Sequence, residues 1–262
     1  MSTPSTRPRV AVFKLASCDG CQLQLLSLED ELLTLTEHVE IVHFAEATSS
    51  TDPHGDYDLA IVEGSVSTAA QLEELRSIRA RSKQLLTIGA CATSGGIQAL
   101  RNWADVEAYK AIVYATPAYV DTLATSTAIA EHVPVDYELR GCPIDKRQLL
   151  EVITALLVGR RPQIRDESVC AECKRRGTVC VLVASDEPCI GPVTHAGCGA
   201  LCPSFARGCF GCYGPKEQAA TSPLAARFRN DGMIPAEALR RFRSFTGYAP
   251  AFKKESERHG DG

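Results

Sequence analysis

Short apolar runs recur along the first half of the chain, and each is followed by a stretch with helical spacing. Arg9–Leu15 reads as a buried first strand, with Val39–Phe44, Tyr57–Val62 and Gln84–Gly89 as the next three. Each is short, rich in Val, Ile, Leu or Phe, and bounded by polar or turn-forming residues. Shorter strand candidates lie at Ile112–Ala115 and Tyr137–Leu139. Between the strands, Gln22–Leu35 carries Leu23, Leu26, Leu32 and Leu33 as a helix would. Thr68–Arg81 has acidic residues early and arginines late, which suits the helix dipole. Asp145–Val158 is an amphipathic helix stopped by Gly159 and then Pro162. Strands alternating with helices predict an α/β fold, with a parallel flavodoxin-like sheet in a domain spanning 1–162.

Past Pro162 both periods fade. From Cys170 to Cys212 there are eight cysteines among glycines and prolines, and few apolar residues with which to build a core. Something other than hydrophobic burial must order this stretch, and bound metal does so. Residues 163–262 are therefore expected to form a second, irregular, metal-ordered domain ending in a tail. Beyond Tyr213 the tail is rich in Ala and Arg, with one short helix expected at Ala236–Phe245 behind Pro235. Its Ile234, Leu239, Phe242 and Phe245 are candidates for docking on this chain or on a partner.

Composition narrows the classes. Forty-five per cent apolar and 23% charged residues suit a globular protein of 262 residues. A formal charge of −4 speaks against nucleic acid as a main partner. Arg240-Arg241 and Lys253-Lys254 read as solvated faces. No run approaches the ~20 apolar residues that cross a bilayer. Met1–Arg9 is polar and proline-containing, without the features of a secretory or twin-arginine leader. The expectation is a cytoplasmic protein whose thiols stay reduced, so that its twelve cysteines are metal ligands or redox groups and not disulfides.

Those cysteines fall into sets. Cys18 and Cys21 form a C-x-x-C after strand one, with Asp19-Gly20 as a tight turn into the next helix. Cys91 follows strand four in Gly89-Ala90-Cys91, and Cys142 stands in Gly141-Cys142-Pro143 before the last helix. All lie where strands of a doubly wound sheet end, the edge at which such sheets gather ligands. Four thiolates converging there match the ligation of a [4Fe–4S] cluster. A thioredoxin-like redox pair at Cys18/Cys21 and a buried packing role for Cys91 are the plainer alternatives. The second stretch runs Cys170, Cys173, Cys180, Cys189, then Cys198, Cys202, Cys209, Cys212, which divides into two groups of four. Zinc competes for these, since terminal C-x-x-C pairs suit a tetrahedral site. Glycine and proline beside the ligands (Gly191-Pro192, Cys202-Pro203, Gly208-Cys209, Gly211-Cys212) favour iron–sulfur, whose bulk the backbone must wrap. The spacing is not that of a bacterial ferredoxin. Gly95-Gly96 lacks the pattern of a dinucleotide site, so neither nicotinamide nor flavin is expected on this chain.

The ordered motifs resemble the small subunit of [NiFe] hydrogenases over nearly all of residues 9–213. Cys18-Asp19-Gly20-Cys21 is similar to that family's C-T-G-C, with Asp for Thr. Val62-Glu63-Gly64 resembles its V-E-G segment, Gly89–Gly96 its G-x-C-A-x-x-G-G loop, and Gly141-Cys142-Pro143 its fourth ligand. Pro188–Thr194 and Cys209-Phe210-Gly211-Cys212 resemble its G-C-K-G-P-x-T and C-I-G-C. The resemblance implies a proximal [4Fe–4S] cluster on Cys18, Cys21, Cys91 and Cys142. It implies a medial one on Cys198, Cys202, Cys209 and Cys212, and a distal one on Cys170, Cys173, Cys180 and Cys189. Membrane-linked relatives have His where Cys170 stands, relatives with a [3Fe–4S] centre lack the cysteine at 202, and the spacing around Cys180 departs from the pattern.

These departures look most like the cytosolic multisubunit branch, with the sulfhydrogenase delta subunit as nearest comparison. The implied function is electron relay, with no catalytic residue on this chain. The implied partners are a large subunit bearing the Ni–Fe centre and flavin- and NAD(P)-binding, iron–sulfur diaphorase-type subunits. The related subunit of respiratory complex I typically has adjacent cysteines and lacks the eight-cysteine extension. Glu63 is a candidate for proton exit or the subunit interface, or is a solvated or capping carboxylate; His195, beside Cys198, is read as a surface residue or a neighbour of the ligands and not as a ligand. The reading from another class is a zinc-stabilised interaction scaffold on a flavodoxin-like domain.

Overall fold

The computed structural model describes residues 7–49 and 51–259; of the polar stretch Met1–Arg9, only the last three residues lie within them. In chain order the elements begin β1 Arg9–Lys14, α1 Gly20–Leu26, α2 Asp30–His38, β2 Glu40–Phe44 and β3 Tyr57–Glu63. They continue with α3 Ala69–Ala80, β4 Ser82–Ile88, α4 Gly89–Ser94, α5 Val106–Val113, β5 Tyr137–Leu139 and α6 Lys146–Leu157. The remainder is helical: α7 Val169–Arg176, α8 Val181–Ala184, α9 Leu201–Ser204, α10 Thr221–Asn230, α11 Pro235–Phe242 and α12 Pro250–Glu257.

The five strands form one sheet in the order β2-β1-β3-β4-β5, and every neighbouring pair is parallel. This is the flavodoxin-like doubly wound arrangement, whose switch point lies between β1 and β3. Alternate residues face opposite sides, as strand geometry requires. Val10, Val12, Ile61 and Ile88 pack with Leu25, Leu149, Val152 and Ile153 on one face. Ala11, Phe13, Val62 and Leu85 pack with Leu75 and Ile78 on the other. Each such fully buried aliphatic side chain contributes about 1.5–3 kcal/mol.

Helix starts follow the local chemistry. The Thr68 hydroxyl accepts from the Gln71 amide at 3.2 Å, and Gln71 Oε1 accepts from the Thr68 amide at 3.1 Å, a capping box for α3. Asp145 Oδ1 accepts from the amides of Arg147 and Gln148 at 3.0 Å, opening α6.

The structure differs from the sequence expectation in four places. The helix expected over Gln22–Leu35 is two helices, broken where Glu29 takes φ 54°; the break turns Leu28 into the core, 2% exposed. Ile112–Ala115 is no strand. Asp105 caps a helix there by accepting from Glu107 and Ala108, and Ile112 and Val113 end it on the surface. The tail holds three helices, not one, and the expected one stops at Phe242. Lastly, the cysteine-rich stretch does have an apolar core. Val169, Val181, Ile190 and Val193 pack with Leu224, Phe228, Phe242 and Phe252 from the tail, so the partners missing locally arrive from later in the chain. Among the described residues no helix is long and apolar enough to cross a membrane.

Candidate functional site

All twelve cysteines are free thiols. Cys18 lies in the turn after β1, Cys21 in the first turn of α1, Cys91 in α4 just after β4, and Cys142 in the loop after β5. All four therefore stand beyond the C-terminal edge of the sheet, Cys21 and Cys91 on helix starts. Burial, the charge of Glu63, and the thiolates of Cys91 and Cys142 push the Cys21 thiol far above its ordinary range. Burial and the thiolates of Cys91 and Cys18 raise Cys142 to about 11. Burial and the nearby Cys18 and Glu63 charges likewise raise Cys91. The four thiols share one electrostatic neighbourhood.

The backbone gives these sulfurs room. Gly89 takes φ +87°, and a Cβ there would run into Cys21 Sγ; only glycine serves at this position. Gln98 lies against the same group, its Nε2 donating to Ala16 O at 2.7 Å and lying 3.4 Å from Cys91 Sγ. Glu63 is 2% exposed and accepts from the amides of Cys21 and Gln22 at 3.1 and 3.2 Å. Burial raises its carboxyl above the usual range, against the pull of those amides. Glu63 is thus a buried cap and not a solvated carboxylate.

The other eight cysteines, which the sequence divides into a second and a third group of four, lie within reach of one another's charge. Burial and the thiolates of Cys198, Cys142 and Cys202 raise Cys212 to about 12. Burial carries Cys209 well above its ordinary range, with Cys189 and Cys212 adding to it. In the last group burial and the thiolates of Cys189, Cys173 and Cys180 raise Cys170 to about 11. Burial, Cys189, Cys180 and Cys198 raise Cys173.

Ties also run between the groups. Arg140, two residues before Cys142, donates to Pro215 O, three residues after Cys212, at 2.6 Å, and the Cys209 amide donates to Cys189 Sγ of the third group at 3.2 Å. Glu172, on α7, accepts from the amides of Gly197 and Ala200 at 3.0 and 3.2 Å, tying the third group's helix to the second group's loop. Of Glu172 and Gln98, the sequence signals only Glu172, through its C-A-E-C context.

His195 is not among the converging groups. Its Nδ1 lies 2.6 Å from Ala196 O, and burial lowers its pKa. Among the described residues no three His, Cys, Asp or Glu side chains are arranged around a single point as one metal ion would need.

Chemically, buried thiols packed beside one another resist ionisation. A bound iron centre reverses that, because a coordinating thiol is deprotonated outright by the metal's own charge. The all-sulfur donor sets, the glycine cradle at Gly89 and the penalty on free thiolates fit iron–sulfur ligation.

The family described as NADH ubiquinone oxidoreductase, 20 Kd subunit, matches residues 18–156. The sulfhydrogenase 2 subunit delta of Pyrococcus furiosus is 42% identical over 207 residues, which covers 79% of this chain and 86% of that relative. A chain of NAD+-reducing [NiFe]-hydrogenase in the H2-reduced state superposes with a TM-score of 0.56 at 32% identity, covering 61% of this chain and 96% of that one. The actinobacterial-type NiFe-hydrogenase of Ralstonia eutropha H16 gives a TM-score of 0.59 over 99% of this chain and 92% of that one, at 17% identity. The last likeness shows the fold alone.

Proposed function

Because the chain belongs to the NADH ubiquinone oxidoreductase 20 kDa subunit family, in the branch of hydrogenase small subunits, we propose that it is the electron-transfer subunit of a multisubunit [NiFe] hydrogenase. In this reading Cys18, Cys21, Cys91 and Cys142 hold a proximal [4Fe–4S] cluster. Cys198, Cys202, Cys209 and Cys212 hold a medial one, and Cys170, Cys173, Cys180 and Cys189 a distal one. The chain divides near residue 162 into a sheet domain carrying the first set and a cluster domain carrying the other two. When bound, such clusters accept and pass on single electrons at potentials set by ligation, hydrogen bonding to sulfur and exposure.

The observation that carries the reading is the continuity of the three thiol groups. The Cys142 loop is tied to the segment after Cys212 by the Arg140–Pro215 hydrogen bond, and the Cys209 amide donates to Cys189 Sγ, an order of sets that supports a relay. The protein's own work is to bury the sulfurs, fix their spacing and aim amides at them. Hydrogen is split on the large subunit, whose Ni–Fe centre faces the first set. The last set serves flavin- and NAD(P)-linked diaphorase-type subunits, and all-cysteine ligation suits so low-potential an acceptor. A cytoplasmic setting keeps the thiols reduced until iron is delivered.

Iron and acid-labile sulfide analysis of the purified complex tests this. About twelve of each per chain, at four per cubane, together with H2-dependent reduction of a dye, is the expected result. Stoichiometric zinc without broad visible absorbance overturns it in favour of a scaffold role. Clusters without H2-dependent dye reduction in the complex leave the relay and remove the hydrogenase.

A further inference from the structure

One buried side chain stands against loops of both the first and the second thiol group. Tyr213 follows Cys212 directly and is 4% exposed. Its ring stands against two glycines from different parts of the chain. A Cβ at Gly141, beside Cys142, would lie 2.9 Å from Tyr213 Cζ, and one at Gly197, beside Cys198, 2.7 Å from Tyr213 Cδ1. Both glycines have positive φ, +144° and +147°, and both lie within ordinary contact of the ring only because they lack a side chain. The ring is thus wedged between a loop of the first group and a loop of the second.

The backbone on either side of Tyr213 is fixed. The Gly214 amide donates to Gly211 O at 2.9 Å, and the His195 amide donates to Gly214 O at 2.9 Å. Thr194 and Pro215 form an antiparallel bridge. Arg140, two residues before Cys142, donates from Nη1 to Pro215 O at 2.6 Å. Two separate ties therefore join the Cys142 loop to the Cys212–Pro215 segment, the Arg140 bond and the ring itself. A buried aromatic side chain brings 150–250 Å² of contact and few rotatable bonds, properties suited to a spacer.

We propose that Tyr213 is a positioning residue whose ring sets the separation between the first and second thiol groups and keeps water out of the gap between them. The proposal rests on the iron–sulfur reading above. Tyr213 exchanges neither electron nor proton; one electron passes from the first group to the second, and no bond forms or breaks. The ring's part is the distance and the dry medium of that transfer.

The test uses the purified hydrogenase complex, with Tyr213→Phe and Tyr213→Leu, and with Gly197→Ala, whose new Cβ displaces the ring without removing it. Iron and sulfide are counted first, and then the reduced complex is examined by electron paramagnetic resonance and redox titration. Tyr213→Phe, keeping the ring, is expected to retain the wild-type spin coupling and midpoints. Tyr213→Leu and Gly197→Ala are expected to lose or alter the coupling between the first two groups and shift their midpoints, while the third group's midpoint stays fixed as internal reference. Wild-type couplings and midpoints in a fully loaded Tyr213→Leu variant overturn the proposal. So does a Tyr213→Phe variant as disturbed as Tyr213→Leu, since the ring then does not matter. If Tyr213→Leu fails to load iron, Gly197→Ala decides by the same readouts: unaltered coupling and midpoints there overturn the proposal, and loss of iron in both, with Tyr213→Phe normal, upholds the ring as the element that holds the two groups in place. A wild-type complex without iron and sulfide sinks the iron–sulfur reading itself, a result distinguishable from all of these.

Discussion

Glu63, at the end of β3, takes the amide of Cys21 across 42 positions of sequence, its Oε1 3.1 Å from that nitrogen. Oε2 takes the next amide, that of Gln22, at 3.2 Å. A helix start leaves its first amides without partners, and α1 has no capping side chain of its own. The carboxylate supplied by β3 fills that role and so ties the C-x-x-C turn to the switch point of the sheet.

Glu63→Ala leaves two buried amides unpaired and is expected to destabilise the chain by about 2 kcal/mol. The thermal midpoint of the complex is expected to fall by several degrees, and iron of the first group to become easier for a chelator to extract. An unchanged midpoint and extraction rate shows that the bonds are dispensable.

Gly89→Ala tests the cradle. A Cβ at Gly89 would collide with Cys21 Sγ, and φ +87° is itself strained for alanine. Loss of about four irons per chain is expected, one cubane's worth, with the remaining eight cysteines still loaded. Full iron content in this variant means that Cys21 has another position from which it can bind.

Much of this arrangement was legible because it rests on local rules. The runs at Val10–Phe13 and Leu59–Val62 could only be buried parallel strands, and the cysteines stand beyond their ends. The features that escaped depend on distant sequence. Nothing around Cys170–Cys212 reveals that Phe228, Phe242 and Phe252 return from the tail to cover it. A capping role was one reading of Glu63, but nothing around it shows that the helix it caps begins 42 positions earlier. Tyr213 is one of seven tyrosines, and only the two glycines facing it in space give it a role. Ile112–Ala115 misled because β-branched residues fit the last turn of an exposed helix as well as a short strand, and the decisive Asp105 cap lies upstream.

That tail core supports a third prediction. Phe242 is fully buried, its ring 5.8 Å from that of Phe252 in an edge-on contact. Phe242→Ala is expected to cost about 3–5 kcal/mol and to expose the cysteine-rich stretch to limited proteolysis ahead of the sheet domain. Equal cleavage rates in the two regions show that the tail does not hold the stretch in place.

The last prediction concerns acid. The Arg160 guanidinium holds the Glu151 carboxyl down at about 2, helped by the Gln163 amide; the three atoms of this clamp lie 2.7, 2.8 and 2.9 Å from the carboxylate oxygens. It fastens the middle of α6 to the segment that leads toward α7. A carboxyl depressed below its unfolded value stabilises the fold above the unfolded pKa, near 4.5, and loses that contribution as pH falls through the folded value near 2. The pair is exposed, so the effect is small and screened by salt. Glu151→Gln is therefore expected to lower the thermal midpoint slightly at pH 6. The gap from wild type is expected to narrow as pH drops from about 4.5 toward 2, and to shrink at high salt at any pH. A gap that stays constant across this range, or widens on acidification, shows that Glu151 acts through packing and not through its charge.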